Sequence, residues 1–368
     1  MNQRIETVVI GGGQAGLATG YHLKHLRLEH VILDENEEVG AAWRNRWDSL
    51  KLFSPTPYNN LPGMPCPGDA KSYPAKDDIA NYLVAYADRF ELPVKNGVKV
   101  KKVSMDGDNY LIDTTEGEIV AENVVVATGT FHHPRVPKFA DSLDSHIVQI
   151  HSSEYRRPSQ IQKGSALVVG AGSSGAEIAL ELSKTHKVWL SGRDPGKEPP
   201  LPTPVLWFIA SKILNVSNPI GRKARNHILY PPKGIPRGRI KSKELLKAGI
   251  DWVGRTSGTK DGLPELENGR LLEASNVIWC TGYVTDFSWI DLPVFDDYGY
   301  PNHRRGVVES QPGLYFMGLL FQHTVTSSLI GGVGKDAKYV AKHIRNRQSG
   351  RHQSNKILST ESLSQTVN

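Results

Sequence analysis

Two glycine turns carry the clearest chemistry in this chain. VVIGGGQAGLATGYHL (Val8 to Leu23) and LVVGAGSSGAEIALEL (Leu167 to Leu182) repeat one pattern at an offset of 159 residues, so that Gly11, Gly13 and Gly16 map onto Gly170, Gly172 and Gly175. In both copies a short β-branched run precedes the glycines and an amphipathic helical pattern follows, the context that makes G-x-G-x-x-G meaningful. The first glycine permits a tight turn, the second lets the backbone approach a pyrophosphate, and the third lets helix and strand pack closely. The pyrophosphate then rests on unpaired N–H groups at the positive end of the helix dipole. Gln14 and Ala15 open the helix in the first copy, and Ser173 and Ser174 open it in the second.

The strand end downstream of each turn decides which nucleotide suits it. HVILDEN ends a second strand at Asp34, 23 residues beyond Gly11. A carboxylate there accepts hydrogen bonds from a ribose 2′-hydroxyl and repels a 2′-phosphate, with Glu35 as a substitute. KVWLSGRDP places Ser191 and Arg193 in the matching slot, Arg193 being 23 residues beyond Gly170. An arginine fork suits phosphate oxygens, so this half should prefer NADPH to NADH; the alternative is a solvated strand-end residue. A second pair of segments supports two dinucleotide domains. VVVATG, ending in Ala127, Thr128 and Gly129, and VIWCTG, ending in Thr281 and Gly282, are apolar strands that close on Thr-Gly.

The elements that must hold these turns follow from length and patterning. At 368 residues, and roughly 150 per domain, the chain has room for about two domains. The expected class is α/β: two Rossmann-like dinucleotide-binding domains, the NADPH domain inserted in the FAD domain. The alternating run from Asn96 to Asn123, broken at DGDN and TEGE, predicts an antiparallel meander of the kind that replaces a crossover helix in FAD domains. PGLYFMGLL (Pro312 to Leu320) reads as a strand, followed by a helix beginning near Ser327. Residues 1–135 and 283–347 are then the FAD domain and 164–275 the NADPH domain. Residues 136–163 and 276–282 read as linkers, and 348–368 as a disordered polar tail.

Composition excludes several classes. Hydrophobic residues at 39% and charged residues at 22% exclude disorder as the overall state. The two cysteines, Cys66 and Cys280, lie 214 residues apart, which excludes a disulfide scaffold or a Cys-x-x-Cys pair, and no metal site is expected. The net charge of +6 is mildly basic, with a local excess between Arg222 and Lys243. Polyanionic cofactors or a solvated face account for that stretch better than nucleic acid does. No signal peptide or membrane-spanning run is apparent, so the cytoplasm is the default. Val205 to Leu214 (VLWFIASKIL) is apolar with a basic flank. It reads as a core helix, a lid over an apolar channel or, least favoured, a membrane-surface helix. Oligomeric state is open, a homodimer included.

GGGQAG, ATG at Ala127 to Gly129, HSSEY at His151 to Tyr155, GAGSSG at Gly170 to Gly175 and CTGY at Cys280 to Tyr283 together resemble the flavin-containing monooxygenases. That superfamily includes N-, S- and C-oxygenating flavoproteins, YUCCA-type enzymes and Baeyer–Villiger enzymes; the nearest likeness is to a bacterial group of short single-chain flavoproteins. The similarity spans Thr7 to Ile344. Two motifs depart from the pattern. In F-x-G-x-x-x-H-x-x-x-Y/W, His151 and Tyr155 fit, but Ser145 replaces Phe and Ile147 replaces Gly. In G-G-x-W, Gly40 and Trp43 fit, while Ala41 replaces Gly.

The resemblance implies FAD in the first domain, reduced by NADPH held in the second. Reaction with O2 through a C4a-(hydro)peroxyflavin then oxygenates a small-molecule substrate, a soft nucleophile or a carbonyl compound. The chemistry belongs to the cofactor, and the protein orients it. The resemblance further implies that Val100 touches adenine through its backbone and that Trp43 packs beside the cofactor. Phe321, Gln322 and the helix start near Ser327 would approach the flavin pyrimidine. Asn60, with Asn59 as an equal alternative, is the candidate polar group near the flavin–nicotinamide contact, against a turn-forming role for either. His151 reads as a structural histidine. The competing function is a reductase passing electrons to a quinone, disulfide or protein without oxygen insertion; a flavin-bearing sensor is a third.

Overall fold

The computed structural model describes residues 3–193, 206, 209–229 and 239–365. The chain begins with β1 (Gln3–Ile10), the Gly11–Gly13 turn, α1 (Gln14–His25) and β2 (His30–Leu33). After α2 (Ala41–Arg44) and α3 (Lys76–Arg89), it adds β3 (Val94–Lys95), β4 (Val100–Asp106), β5 (Asn109–Thr114) and β6 (Gly117–Val126). The expected meander is β4–β5–β6, antiparallel throughout. β6 has ten residues and serves two purposes: Gly117–Ala121 pair with β5, and Ile119–Val126 run parallel to β1.

The chain next forms β7 (His133–Pro134), β8 (Val148–His151), β9 (Ser165–Val169), α4 (Ser173–Leu182) and β10 (Lys187–Ser191). It continues through α5 (Pro219–Leu229), α6 (Ser242–Lys247), β11 (Asp251–Val253), β12 (Thr256–Lys260), β13 (Leu263–Leu266), β14 (Asn276–Trp279) and β15 (Tyr283–Val284). β16 (Leu314–Phe316) then returns to the first sheet, parallel to β6, and α7 (Val333–Gln365) follows. The result is a mixed α/β fold. A seven-stranded sheet runs β3-β2-β1-β6-β5-β4 with β16 also on β6, and a five-stranded parallel sheet runs β11-β10-β9-β14-β8.

Strand alternation divides the core. On β1, Val9 joins the face packed by Leu17, Tyr82, Tyr86 and Val340, while Val8 and Ile10 face the meander and Phe316. The first of these clusters extends to Ala166, Val168, Ile178 and Leu190 of the second sheet, so one contiguous apolar core links the two halves. The other face of the second sheet closes on Leu266 and Leu272. One short antiparallel pair, β7 against β15, ties the connecting segments into a narrow ribbon.

The structure corrects three boundary expectations. β8 and β14 are strands of the five-stranded sheet, although 136–163 and 276–282 read as linkers. The HHPRVP turn signal earlier in the same segment masked the short run VQIH. The last helix begins at Val333 and not near Ser327, because Thr326–Gly332 coils in successive turns before the Gly331–Gly332 pair releases a regular helix. α7 continues to Gln365, through most of the segment expected to be a disordered tail. The expected helix over Val205–Leu214 and the basic stretch Arg222–Lys243 fall partly outside the described residues. Of these segments, Ile209 and Ile213 are exposed, and Arg222 to Leu229 belong to α5. No helix among the described residues is long and apolar enough to cross a membrane.

Candidate active site

The turn after β1 is built by close backbone approach. Gly11 has φ +108°, its N–H donates to Leu33 O at 2.7 Å, and a Cβ there would lie 2.7 Å from Ala127 O. At Gly16 a Cβ would meet Gly11 O at 1.8 Å, so only glycine lets α1 sit against its own turn. Gly13 caps α1 with no side-chain bond to the first-turn N–H groups, and a Cβ built on it meets nothing within 4 Å. The positive end of the α1 dipole is therefore open, with no acidic residue in its first turn.

That helix end faces a shallow cleft lined by Gly12, Gly13, Gln14, Asp34, Asn36, Glu38, Gly40, Ala41, Ala42, Trp43 and Leu83. Asp34 is half-buried; one carboxylate oxygen takes the Gly12 N–H and the other takes Asn36 N–H and Nδ2 at 2.8 and 2.7 Å. Three bonds leave one of its roughly four acceptor sites for a hydroxyl in the cleft. Gly40, with φ +87°, packs its Cα against α3, where a Cβ would lie 2.8 Å from Ala80 O. This close approach swings α2 and the half-buried Trp43 over the cleft. Glu35 points away and meets Lys99 at the surface at 3.4 Å.

Of the residues expected around the first nucleotide, Gly13, Gln14, Asp34, Gly40 and Trp43 line this cleft, and Gly11, Ala15 and Gly16 shape the turn beneath it. Ala127 follows β6, its N–H donating to Ile10 O at 2.7 Å, and exposed Thr128 and half-buried Gly129 (φ +76°) come next. Val100 opens β4, two residues beyond Val98, whose N–H donates to Asp34 O at 2.9 Å. Sequence reasoning missed Gly12, Asn36, Glu38, Ala42 and Leu83. The Asx residue two beyond a strand-end acid was a usable signal for Asn36; Leu83 arrives only through tertiary packing of α3.

The segment after β16 forms a second polar cluster. Gln322 is buried and its neighbour Phe321, fully buried, adopts φ +52°, a conformation rare outside glycine. The Ser327 hydroxyl accepts from His323 and Thr324 N–H at 3.1 and 2.9 Å and donates to Asp336 at 2.6 Å. Arg305 Nε holds the other Asp336 oxygen at 3.0 Å. Gly318 brings this segment to the first turn, since a Cβ there would lie 2.9 Å from Ala15 Cβ.

The second glycine turn reproduces the first. Gly170 has φ +111°, its N–H donates to Ser191 O at 2.8 Å, and a Cβ would lie 2.3 Å from Cys280 O. A Cβ on Gly175 would meet Gly170 O at 1.7 Å, and Gly172 caps α4 without a side-chain bond. Ser173 and Ser174 form the first turn of α4. Ser191 is buried and bonds Gly254 O and Thr256, while Arg193 is exposed and makes no hydrogen bond or ion pair among the described residues. Thr281 bonds Arg135 O, and Gly282 O accepts from Arg135 N–H at 2.9 Å.

His151 has a structural place: Nε2 faces Gly282 O at 3.1 Å and Nδ1 accepts from Ser153 N–H at 3.1 Å. Burial lowers its pKa, which favours the neutral ring these bonds require. Asn59 is buried, with its amide on Ser54 and Pro55. Asn60 is exposed, donating to Pro57 O at 3.2 Å and accepting from Cys66 N–H at 2.8 Å, so both ends of its amide hold its own loop. Burial pushes the Cys66 thiol up to about 11 and the Cys280 thiol to about 12; both are free.

The family model described as pyridine nucleotide-disulphide oxidoreductase matches residues 8–211. The chain belongs to this family of oxidoreductases and, within it, to the flavin monooxygenase superfamily. An "Uncharacterized oxidoreductase CzcO-like" of Geobacillus kaustophilus is 41% identical over 364 residues, covering 94% of this chain and 100% of that protein. A "Probable indole-3-pyruvate monooxygenase YUCCA3" of Arabidopsis thaliana is 29% identical over 389 residues, covering 92% of this chain and 86% of its own. Among solved structures, the flavin-containing monooxygenase from Stenotrophomonas maltophilia matches with TM-score 0.73 at 26% identity, over 94% of this chain and 99% of that one.

Proposed function

We propose that the chain is a FAD-dependent monooxygenase that draws hydride from NADPH and transfers one atom of O2 to a small soft nucleophile or carbonyl substrate. The observation that carries this reading is the uncapped α1 end opening on the cleft walled by Asp34, Gly40 and Trp43, with the space at Gly13 that a Cβ would fill. A dinucleotide fits that donor set: N–H groups of the α1 first turn for a pyrophosphate, the remaining Asp34 acceptor for a ribose hydroxyl, Trp43 for an apolar wall. Bound FAD supplies hydride acceptance and oxygen activation.

The residues' own tasks follow. Ala127–Gly129 turns the chain past the cofactor, Val100 faces the adenine, and the Phe321–Gln322 segment approaches the flavin pyrimidine. In the inserted half, Gly170, Gly172, Ser173, Ser174 and Gly175 cradle the NADPH pyrophosphate, and Ser191, Arg193, Thr281 and Gly282 line its edge. The two halves are then Rossmann-like nucleotide domains, the second inserted in the first. Asn60 remains a candidate contact of the flavin–nicotinamide region only if its loop rearranges, since its amide is engaged locally.

Thiol–disulfide reduction is the poorer reading, because the thiolate is the reactive form and burial disfavours it at both cysteines. Protein purified under native conditions should carry FAD, oxidise NADPH with consumption of O2, and release less hydrogen peroxide when a substrate is oxygenated. Absence of flavin, or turnover with quinone that is as fast without O2 and yields no oxygenated product, overturns the proposal.

A further inference from the structure

The inserted half touches the first half again through the loop that follows β16. The segment before α5 docks on the loop after β16: Val216 N–H donates to His323 O at 2.9 Å, and Asn215 bridges Thr324. From α5, the Arg225 guanidinium lies over the Tyr300 ring, 5.4 Å from its centre, and His303 packs on the same ring at 5.6 Å. Tyr300 is itself anchored to this loop, its hydroxyl donating to Leu320 O at 2.9 Å, two residues before Gln322.

Two donors at this junction lack acceptors. Arg225 Nε and His303 Nε2 are buried from solvent, and among the described residues neither has a hydrogen-bond partner. The His303 proton can be placed: Nδ1 accepts from Gly306 N–H at 3.1 Å, so the neutral ring carries its hydrogen on Nε2. Burial and the Arg225 charge hold the ring neutral, its pKa lowered to about 3. No carboxylate among the described residues pairs with Arg225, whereas nearby Arg305 has Asp336 at 3.0 Å. A buried guanidinium N–H without an acceptor is costly, and a second unsatisfied donor beside it compounds the cost.

We infer that Arg225 and His303 form an oxyanion subsite that takes the carboxylate of the substrate. Rings and charges fit such a guest: the guanidinium supplies the charge, the neutral imidazole a directional N–H, and Tyr300 an apolar floor. This deepens the oxygenase reading and rests on it, because the subsite adjoins the Leu320–Gln322 segment assigned to the flavin pyrimidine. It narrows the substrate class to acids bearing a small apolar body and an oxidisable group.

The test uses the full-length, flavin-loaded protein and a probe that needs no turnover. Phenylacetate and its neutral counterpart phenylacetamide are titrated calorimetrically into wild type, Arg225→Gln and Arg225→Lys. The wild type should bind phenylacetate more tightly than the amide. Arg225→Gln should weaken phenylacetate about tenfold or more, with Arg225→Lys falling between, and should leave the amide unchanged. In wild type, the ring ¹⁵N resonance of His303, assigned by its loss in His303→Gln, should shift on adding phenylacetate, a readout that survives if the Arg225 variants fail to fold. Equal affinity for acid and amide, phenylacetate affinity indifferent to Arg225→Gln, or an unmoved His303 resonance overturns the inference. If Arg225→Gln instead weakens 2′,5′-ADP and spares phenylacetate, the acceptor is a nucleotide phosphate and the inference also falls. Flavin content, measured separately, tells failure of the subsite from failure of the oxygenase reading.

Discussion

The turns at Gly11 and Gly170 are the same object built twice. Their leading glycines have φ +108° and +111°, their third glycines sit where a Cβ would lie 1.8 and 1.7 Å from the first glycine's carbonyl, and both helices start on an uncapped glycine. Around this shared frame the side chains diverge. After β2, Asp34 folds back to grip the Gly12 N–H and Asn36; after β10, Ser191 is bound inward to Thr256 and Arg193 extends to the surface. On the helices, the position of Ala18 in α1 is taken in α4 by Glu177, buried beside Arg239 at 3.5 Å. Backbone geometry is thus the conserved part of the repeat because it is dictated by close approach. Charge is the variable part because it serves whichever ligand or neighbour each half meets.

The harshest way to break the comparison is to add a methyl group at both third glycines. Gly16→Ala and Gly175→Ala should each cost about 3 kcal/mol or more, visible as a large fall in thermal midpoint, since the clash is with rigid backbone. At permissive temperature the first variant should purify without flavin, while the second keeps flavin but is reduced poorly by NADPH. Equal flavin loss in both would mean that the halves do not hold separate nucleotides.

Exchanging the strand-end charges is the next test. Arg193→Glu should weaken NADPH by about tenfold and relatively spare NADH, the loss of one charge-assisted contact. Asp34→Asn should lower flavin retention without that nicotinamide preference. Unchanged NADPH affinity in Arg193→Glu removes the 2′-phosphate assignment.

Glu177 sharpens the contrast through pH. Burial raises its carboxyl from 4.5 to about 7, opposed by Arg239 and by the Lys51 backbone N–H. Because the folded state favours the protonated form, this group's contribution is present below the ordinary carboxyl range and is lost as pH rises toward 7, flat thereafter. Glu177→Gln should therefore flatten the decline of thermal midpoint across that window; a midpoint profile parallel to wild type would remove Glu177 as its source. The smallest effect is expected at Asn60→Ala: about 1 kcal/mol of stability from its two loop bonds, and kcat nearly unchanged. A fall in kcat of about a hundredfold would restore Asn60 to the chemistry.

Much of the fold and the cleft was legible because it is local. The β-branched runs, the glycine spacing and the alternating Asn96–Asn123 segment each specify their own backbone, and Asp34 follows from strand length after a known turn. Less legible were features that depend on partners remote in the chain. VQIH at Val148–His151 reads as a linker until β14 lies beside it, and the polar run after Ile344 reads as a tail although α7 continues through it. Asn60 was a candidate cofactor contact only through the family resemblance, against a turn-forming role, and its amide is spent on Pro57 and Cys66 in its own loop.

By itself, then, the order of amino acids determined two nucleotide-type turns with opposite charges at their strand ends, because glycine sterics and strand periodicity act over a few residues. Only the tertiary structure decided that α3 and α2 wall the first cleft, that β8 and β14 complete the second sheet, and that Arg225 meets His303 across the two halves. Those contacts join residues as far as 128 positions apart, as Val148 and Asn276 are, and which buried donors find an acceptor is settled only when the whole core has closed.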